Sequence, residues 1–359
     1  MNEKNFAELD TNFKSRTIGN QELEFRDGFT APFALEGFPY IDSEGRRSRL
    51  PLDVAGMCDK EGVFPMSMQG AGEAIRFRTN SPVVGVRAGF NEIWNGNNRG
   101  GSDGFDLYTG TGAESKFRGN RIIPVGDDCF EGLWELSADG EFADCTLWFP
   151  YHCATSAIAI GTVPGSTVEP PKPHRIAKPV VFYGSSITNS GSAGRPGMVY
   201  PVILARMLDF HLINMGFGGS CRGELCIADT IAKLDIAALV IEFDHNAPTP
   251  EFLEERHEPF FRRYREQRPD VPVLMMSKCD FVPNEVNKRR REIIMRTWMN
   301  AVDSGDRKVE FLDGETLFAG PFREDCTQDN CHPNDLGFYR MATVIEPVLR
   351  RLIENSTSK

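Results

Sequence analysis

The feature that most constrains this chain is a change of hydrophobic period near residue 170. Before it, apolar residues alternate, as in Ile75 and Phe77, in Val84, Val86, Ala88 and Phe90, in Cys145, Leu147 and Phe149, and in Ile158 and Ile160. Period two places alternate side chains on one face of a strand. Turn signals such as Asn95-Gly96-Asn97-Asn98 separate these runs. An N-terminal extension over 1–25 and an all-β, jelly-roll-like sandwich over 26–165 are therefore expected. In PGSTVEPPKP, residues 164–173, five of ten residues are Pro or Gly, which predicts a linker over 166–178. Beyond it, strand-like runs (Val180–Tyr183, Leu212–Met215, Ala238–Phe243, Val271–Met276, Val309–Leu312) alternate with helical patterns (Met198–Leu208, 223–233, 250–267, 285–302, 334–354). That alternation predicts a parallel sheet with helices on both faces, a three-layer α/β/α domain over 179–359.

Composition removes several function classes. With 40% hydrophobic residues and 26 Phe, the chain can build cores, and disorder or a disulfide scaffold is excluded. A net charge of −11 repels phosphate backbones, so no nucleic-acid partner is expected. The basic run Lys288-Arg289-Arg290-Arg291 shares a helical pattern with Ile293, Ile294 and Trp298 and reads as a solvated helix face. No apolar run approaches the ~20 residues that span a bilayer, and MNEKNFAELD lacks a signal-peptide core, so a cytoplasmic protein without a membrane partner is expected. The nine cysteines, odd in number, suit reduced thiols. The pairs Cys221/Cys226 and Cys326/Cys331 have no companion cluster at zinc spacing, and Glu224, Asp229 and Glu242 have no histidine at ligand spacing. Gly216-Phe217-Gly218 lacks the third glycine of a dinucleotide fingerprint. No metal or cofactor is expected, and a homo-oligomer stays open.

In parallel sheets, ligands bind beyond the carboxyl ends of the strands. After the first strand comes Gly184-Ser185-Ser186, after the second Asn214-Met215-Gly216-Phe217-Gly218-Gly219, and after the third Asp244-His245-Asn246. Asp329 and His332 precede the last helix. These parts suffice for acyl transfer. A serine needs an imidazole to take its proton, and the imidazole needs a carboxylate to fix its tautomer. The developing oxyanion needs fixed donors, available from Gly219 N–H, the Asn246 amide and Ser186 N–H.

The ordered set resembles the SGNH hydrolases, also called GDSL esterases and lipases, which implies a flavodoxin-like sheet. The resemblance gives Ser186 the nucleophile position, Gly219 and Asn246 the oxyanion roles, and Asp329 and His332 the acid and base positions. Ser185 stands where the family has aspartate, and Asp244 and Ala247 replace the outer residues of the third block. Gly104-Phe105-Asp106-Leu107-Tyr108 is similar to the Gly-x-Asp-Leu-Tyr signature of a β domain found ahead of one branch. That branch implies a serine esterase for small acyl groups, acetyl on a carbohydrate foremost. Alternatives are a non-catalytic carbohydrate-binding protein on the same scaffold, or a thioesterase or lysophospholipase. A retired site would have no reason to keep a buried Asp–His pair.

Rival readings accompany these residues. His245 is a second base candidate, though its side chain would point away from that of Asn246. Asp313 is a second acid, otherwise a turn residue. Gly100-Gly101-Ser102-Asp103-Gly104 fits a nucleophile elbow, but leads from a loop into a strand rather than a strand into a helix. Trp94, Asn95, Asp106, Arg195 and His245 are candidate substrate contacts.

Overall fold

A computed structural model of the chain describes residues 17–93, 98–127, 129–279 and 284–357. It forms two compact units. The first takes in residues up to Arg49, then Met68–His174 and Gly194–Gly197; the second is Leu50–Ser67, Arg175–Ala193 and Met198 onward. The division thus differs from a single cut at the Pro-rich stretch, because two short segments are exchanged.

The first unit is a sandwich of two antiparallel sheets. One orders its strands Lys116–Ile122, Gly104–Thr109, Ala143–Trp148, Ala74–Thr79 and Val168–Glu169, with Ala34–Glu36 also on Ala74–Thr79. The other orders Cys129–Glu135, Val83–Glu92, Ala154–Thr162 and Glu24–Asp27. Their alternating apolar residues meet in one core that includes Ile75, Phe77, Val84, Val86, Phe105, Phe130, Leu147, Ile158 and Ile160. The expected linker is part of this unit. Val168–Glu169 pairs with Ala74–Thr79, Arg76 donates to Lys172 O at 2.9 Å, and His174 Nε2 lies 3.0 Å from the Glu36 carboxylate. Proline density marked a break in periodicity, whereas backbone pairing fixes the segment.

In the second unit the helices are α1 (Leu52–Cys58), α2 (Val63–Met66), α3 (Ser186–Asn189), α4 (Tyr200–Leu208), α5 (Leu225–Ile231), α6 (Pro250–Gln267), α7 (Glu285–Asp303) and α8 (Asp335–Thr357). The strands are β1 (Ile176–Gly184), β2 (Phe210–Gly216), β3 (Ala238–Glu242), β4 (Val273–Met276) and β5 (Val309–Leu312). All are parallel in the order β2-β1-β3-β4-β5, which is the flavodoxin-like order. Val180–Tyr183 and all of β3 and β4 are buried, as strands covered on both faces must be. Two of the long helices start at side-chain caps. Thr249 Oγ1 accepts from Phe252 N at 3.2 Å ahead of α6, and Asn284 Oδ1 accepts from Asn287 N at 2.9 Å ahead of α7. Register then sets the site. Gly184 pairs with Gly216 on one side and with Glu242 on the other, so three strands end level and their loops leave from one edge. No helix among the described residues is long and apolar enough to cross a membrane.

Candidate active site

Ser186 opens α3 directly after β1. Ser185 caps this short helix, its Oγ accepting from Ile187 N at 3.1 Å. Gly184 has to be glycine, because a Cβ there would meet the Thr188 hydroxyl and Glu242 O. Ser186 Oγ lies 2.9 Å from His332 Nε2, and His332 Nδ1 lies 2.7 Å from Asp329 Oδ2. The other Asp329 oxygen accepts the backbone N–H of His332 at 2.7 Å and of Cys331 at 3.0 Å. One carboxylate therefore shapes the turn and holds the ring. Asn330 inside that turn is left-handed, at φ 63°. With the Nδ1 proton on the aspartate side, the Nε2 lone pair faces the serine hydroxyl.

The acid–base pair is not buried as expected. The side chains of His332 and Asp329 are 33% and 50% exposed, because both sit on a surface turn. Partial burial pushes the Asp329 carboxyl up, but bonds from the His332 ring and amide and from Cys331 N–H outweigh it and hold it below its ordinary range.

Gly219 and Asn246 come together from the ends of β2 and β3. Gly219 adopts φ +72°, the left-handed region open to glycine. Its N–H donates to Asn246 Oδ1 at 3.1 Å, and Asn246 Nδ2 donates to Phe217 O at 3.0 Å. A negative oxygen arriving here competes with the neutral Oδ1 for the Gly219 N–H and has the advantage of its charge. Ser186 N–H, at the first helical position, has no intrahelical acceptor and lies at the same end of the sheet.

Three supports escaped the sequence reading. Arg290 is buried rather than on a solvated face. It donates to Asp244 O at 2.5 Å and to Ala247 O at 2.7 Å, clamping the turn that carries Asn246. Its neighbours in the basic run do point outward, Lys288 to Glu285 and Arg289 to Glu251. Arg222 forks onto Gly219 O at 3.1 and 2.8 Å. The Glu242 carboxyl is hydrogen-bonded to the hydroxyls of Ser185, at 3.0 and 3.1 Å, and of Thr188, at 2.7 Å. A carboxyl from β3 thus partners the serine that stands where the family has aspartate. Burial, reinforced by the charge of Asp244, pushes this carboxyl up to about 8, so it is protonated at neutral pH.

The other candidates separate clearly. His245 shares its site with Cys331, whose Sγ lies 3.8 Å from Nδ1, and burial with Lys278, His332 and Arg290 keeps the ring well below its ordinary pKa. His332, not His245, reaches the serine. Asp313 caps a turn by accepting Glu315 N at 3.0 Å. Ser102 is buried in a short helix, Arg99–Ser102, and donates to Asp103 Oδ1 at 2.8 Å. Asp106 is corrected as a substrate contact, because it is fully buried and saturated. It takes Arg195 Nη1 and Gly197 N, both at 2.8 Å, and Asn120 Nδ2 at 2.8 Å. Arg195 is likewise committed, with Nη1 also 2.5 Å from Tyr108 Oη and its guanidinium 3.9 Å above the Phe117 ring. Together they pin Gly194–Gly197 onto the first unit. Trp94 and Asn95 lie outside the described residues.

Among the described residues, Glu242, Asp244 and His245 bring ligand atoms within 4.8 Å of one another, a grouping the spacing reading did not find. Both Glu242 oxygens are already hydrogen-bonded to hydroxyls, and Asp244 Oδ2 takes Lys278 N at 2.9 Å. A protonated acid with occupied oxygens fits a cation poorly.

Residues 177–350 match the family model of GDSL-like lipases and acylhydrolases, and residues 23–168 match that of the GxDLY N-terminus of SGNH-hydrolase-type esterases. A Bacteroides ovatus protein described as a GDSL-like lipase is 25% identical, with a TM-score of 0.82 over 93% of this chain and 98% of its own. The salicylyl-acyltransferase SsfX3 of a tetracycline biosynthetic pathway is 18% identical, with a TM-score of 0.74 over 92% and 97%. The acetyl xylan esterase Est2A of Butyrivibrio proteoclasticus is 11% identical, with a TM-score of 0.60 over 92% and 100%. No curated protein sequence matches the chain. The two family models together take in residues 23–168 and 177–350, and the chain belongs to the SGNH/GDSL hydrolases, in the branch with an N-terminal GxDLY domain.

Proposed function

We propose that the protein is a serine esterase that cleaves small acyl esters, acetyl groups on a carbohydrate foremost. The observation that carries this reading is the 2.9 Å approach of Ser186 Oγ to His332 Nε2, with Nδ1 held by Asp329. His332 takes the Ser186 proton as Oγ attacks the ester carbonyl. The oxyanion is held by Ser186 N–H, Gly219 N–H and the Asn246 amide. His332 then passes the proton to the departing alcohol, and afterwards activates water to release the acid and free Ser186. Asp329 fixes the ring tautomer and balances the imidazolium in both halves. The acetyl and carbohydrate assignments draw on the fold shared with the acetyl xylan esterase. The fold shared with an acyltransferase makes the second acceptor a measurable question.

A screen of acetylated oligosaccharides with acetate release as signal, run beside Ser186→Ala, tests the reading. Wild type should release acetate and the variant should not. Turnover retained by Ser186→Ala would overturn the serine assignment. A p-nitrophenyl ester series that favours decanoate over acetate would overturn the acyl class. Acyl transfer to an added alcohol in preference to water would assign a transferase. Sugar binding with no cleavage of any ester would assign a binding protein.

A further inference from the structure

Residues Leu50–Ser67 precede most of the β sandwich in the chain but belong to the hydrolase unit. Their contacts converge on the loop that carries Gly219. Asp59 Oδ2 accepts Ser220 Oγ at 2.9 Å, while Oδ1 accepts Gly62 N at 2.9 Å and Glu61 N at 3.1 Å. A Cβ on Gly62 would collide with the Ser220 hydroxyl and with Asp59 Oδ2, so the Ser220 side chain packs on this turn as closely as glycine allows. At the end of α2, Met66 borders the serine: a methyl at Gly218 would lie 3.3 Å from Ser186 Cβ and 4.0 Å from Met66 Sδ. The segment is a wall of the site, held by one carboxylate and close packing.

One further contact joins it to the unit. Cys58, the last residue of α1, and Cys226, in the first turn of α5, bring their Sγ atoms to 2.9 Å. Two sulfurs merely in van der Waals contact stay well beyond that, and a disulfide bond forms at ~2.05 Å. Both thiols are half-buried, so a small reagent can reach them. We propose that Cys58 and Cys226 are a reversible disulfide site that staples the Leu50–Ser67 wall to the helix following the Gly219 loop.

The chemistry is thiol–disulfide exchange with a small-molecule disulfide. One cysteine thiolate attacks the reagent, forming a mixed disulfide and expelling one thiolate. The second cysteine thiolate attacks the protein sulfur of that mixed disulfide, closing the Cys58–Cys226 bond and expelling the second thiolate. Both departing thiolates take up the protons that the cysteines released. Two protein thiols are oxidised and one reagent disulfide is reduced to two thiols. Burial and the neighbouring Cys226 raise the Cys58 pKa, so closure should accelerate with rising pH. The pairing crosses the two-motif spacing seen in the sequence, since Cys226 joins Cys58 rather than Cys221, which is buried with its Sγ 3.4 Å from Met215 O.

The full-length protein, reduced and then incubated with oxidised glutathione, tests this without reference to any substrate. A non-reduced digest should contain one peptide linking Cys58 to Cys226, which disappears on reduction. Cys226→Ser should instead carry glutathione on Cys58 and give no linked peptide. Lys60 is exposed two residues beyond Cys58, so trypsin cleavage there reads the staple directly. Cleavage at Lys60 should slow about tenfold on oxidation of the wild type and not of Cys226→Ser. Glutathione on both cysteines without a link, or Cys58 linked elsewhere, would overturn the pairing. A linked peptide with unchanged cleavage at Lys60 would overturn the staple.

Discussion

Replacing Glu242 by glutamine should flatten the pH dependence of stability. Glu242 is the buried partner of Ser185 and Thr188, and its carboxyl is raised from 4.5 to about 8. The folded pKa lies above the unfolded one, so below about 4.5 both states are protonated and no penalty exists. Between the two values the unfolded chain has released a proton that the folded chain still holds, and folding loses stability as pH rises. At roughly 1.4 kcal/mol per pH unit, the window from 4.5 to about 8 amounts to a loss on the order of 5 kcal/mol. Glutamine keeps an acceptor for the Ser185 and Thr188 hydroxyls and has no proton to lose. Urea unfolding followed by circular dichroism at several pH values across this window should show wild type losing several kcal/mol more than Glu242→Gln as pH rises. Parallel curves, or a steeper fall for the variant, would refute a protonated Glu242 behind the serine turn.

Arg290→Ala should lower kcat about tenfold to a hundredfold while leaving KM nearly unchanged, since the turn carrying Asn246 loses its clamp and an oxyanion donor loosens; a KM effect alone would contradict this. The same change should cost about 1–3 kcal/mol in denaturant unfolding, through the two carbonyls left without Arg290. Asp106→Ala strands the partly buried Arg195 and should destabilise the protein by about 3–5 kcal/mol, with little change in the KM of the surviving enzyme. A large KM rise without destabilisation would restore Asp106 as a substrate contact. Ser102→Ala should leave esterase activity intact, as its hydroxyl is buried against Asp103; an inactive variant would reverse that placement.

The hydrolase half was legible because local signals and topology agree there. The buried apolar runs became strands, the ends of β1, β2 and β3 carried the candidates Ser186, Gly219 and Asn246, and Asp329 and His332 follow β5 after a longer loop. Ser186, Gly219 and Asn246 could be gathered from order, because level strand ends in a parallel sheet bring their loops together; Asp329 and His332 were legible as a pair three residues apart and through the family resemblance. Partnerships across elements were not legible. Nothing local distinguishes Arg290 from Arg289, yet one turns inward to two carbonyls and the other outward to Glu251. Glu242 reads as the polar end of a strand, and its pairing with Ser185 follows only from register. Asp106 was visible as part of a signature, but its partner Arg195 lies 89 residues away, so a structural clamp resembled a binding residue. The same holds for Leu50–Ser67, whose place with the second unit is a long-range fact.

The central claim is that Ser186 carries the acyl group. Wild type mixed rapidly with p-nitrophenyl acetate, quenched in acid and digested should yield the Ser186 peptide heavier by one acetyl group, with a burst of p-nitrophenol equal to the enzyme. Acetyl found on another residue, or release of p-nitrophenol with no burst and no label under single-turnover conditions, would contradict the account.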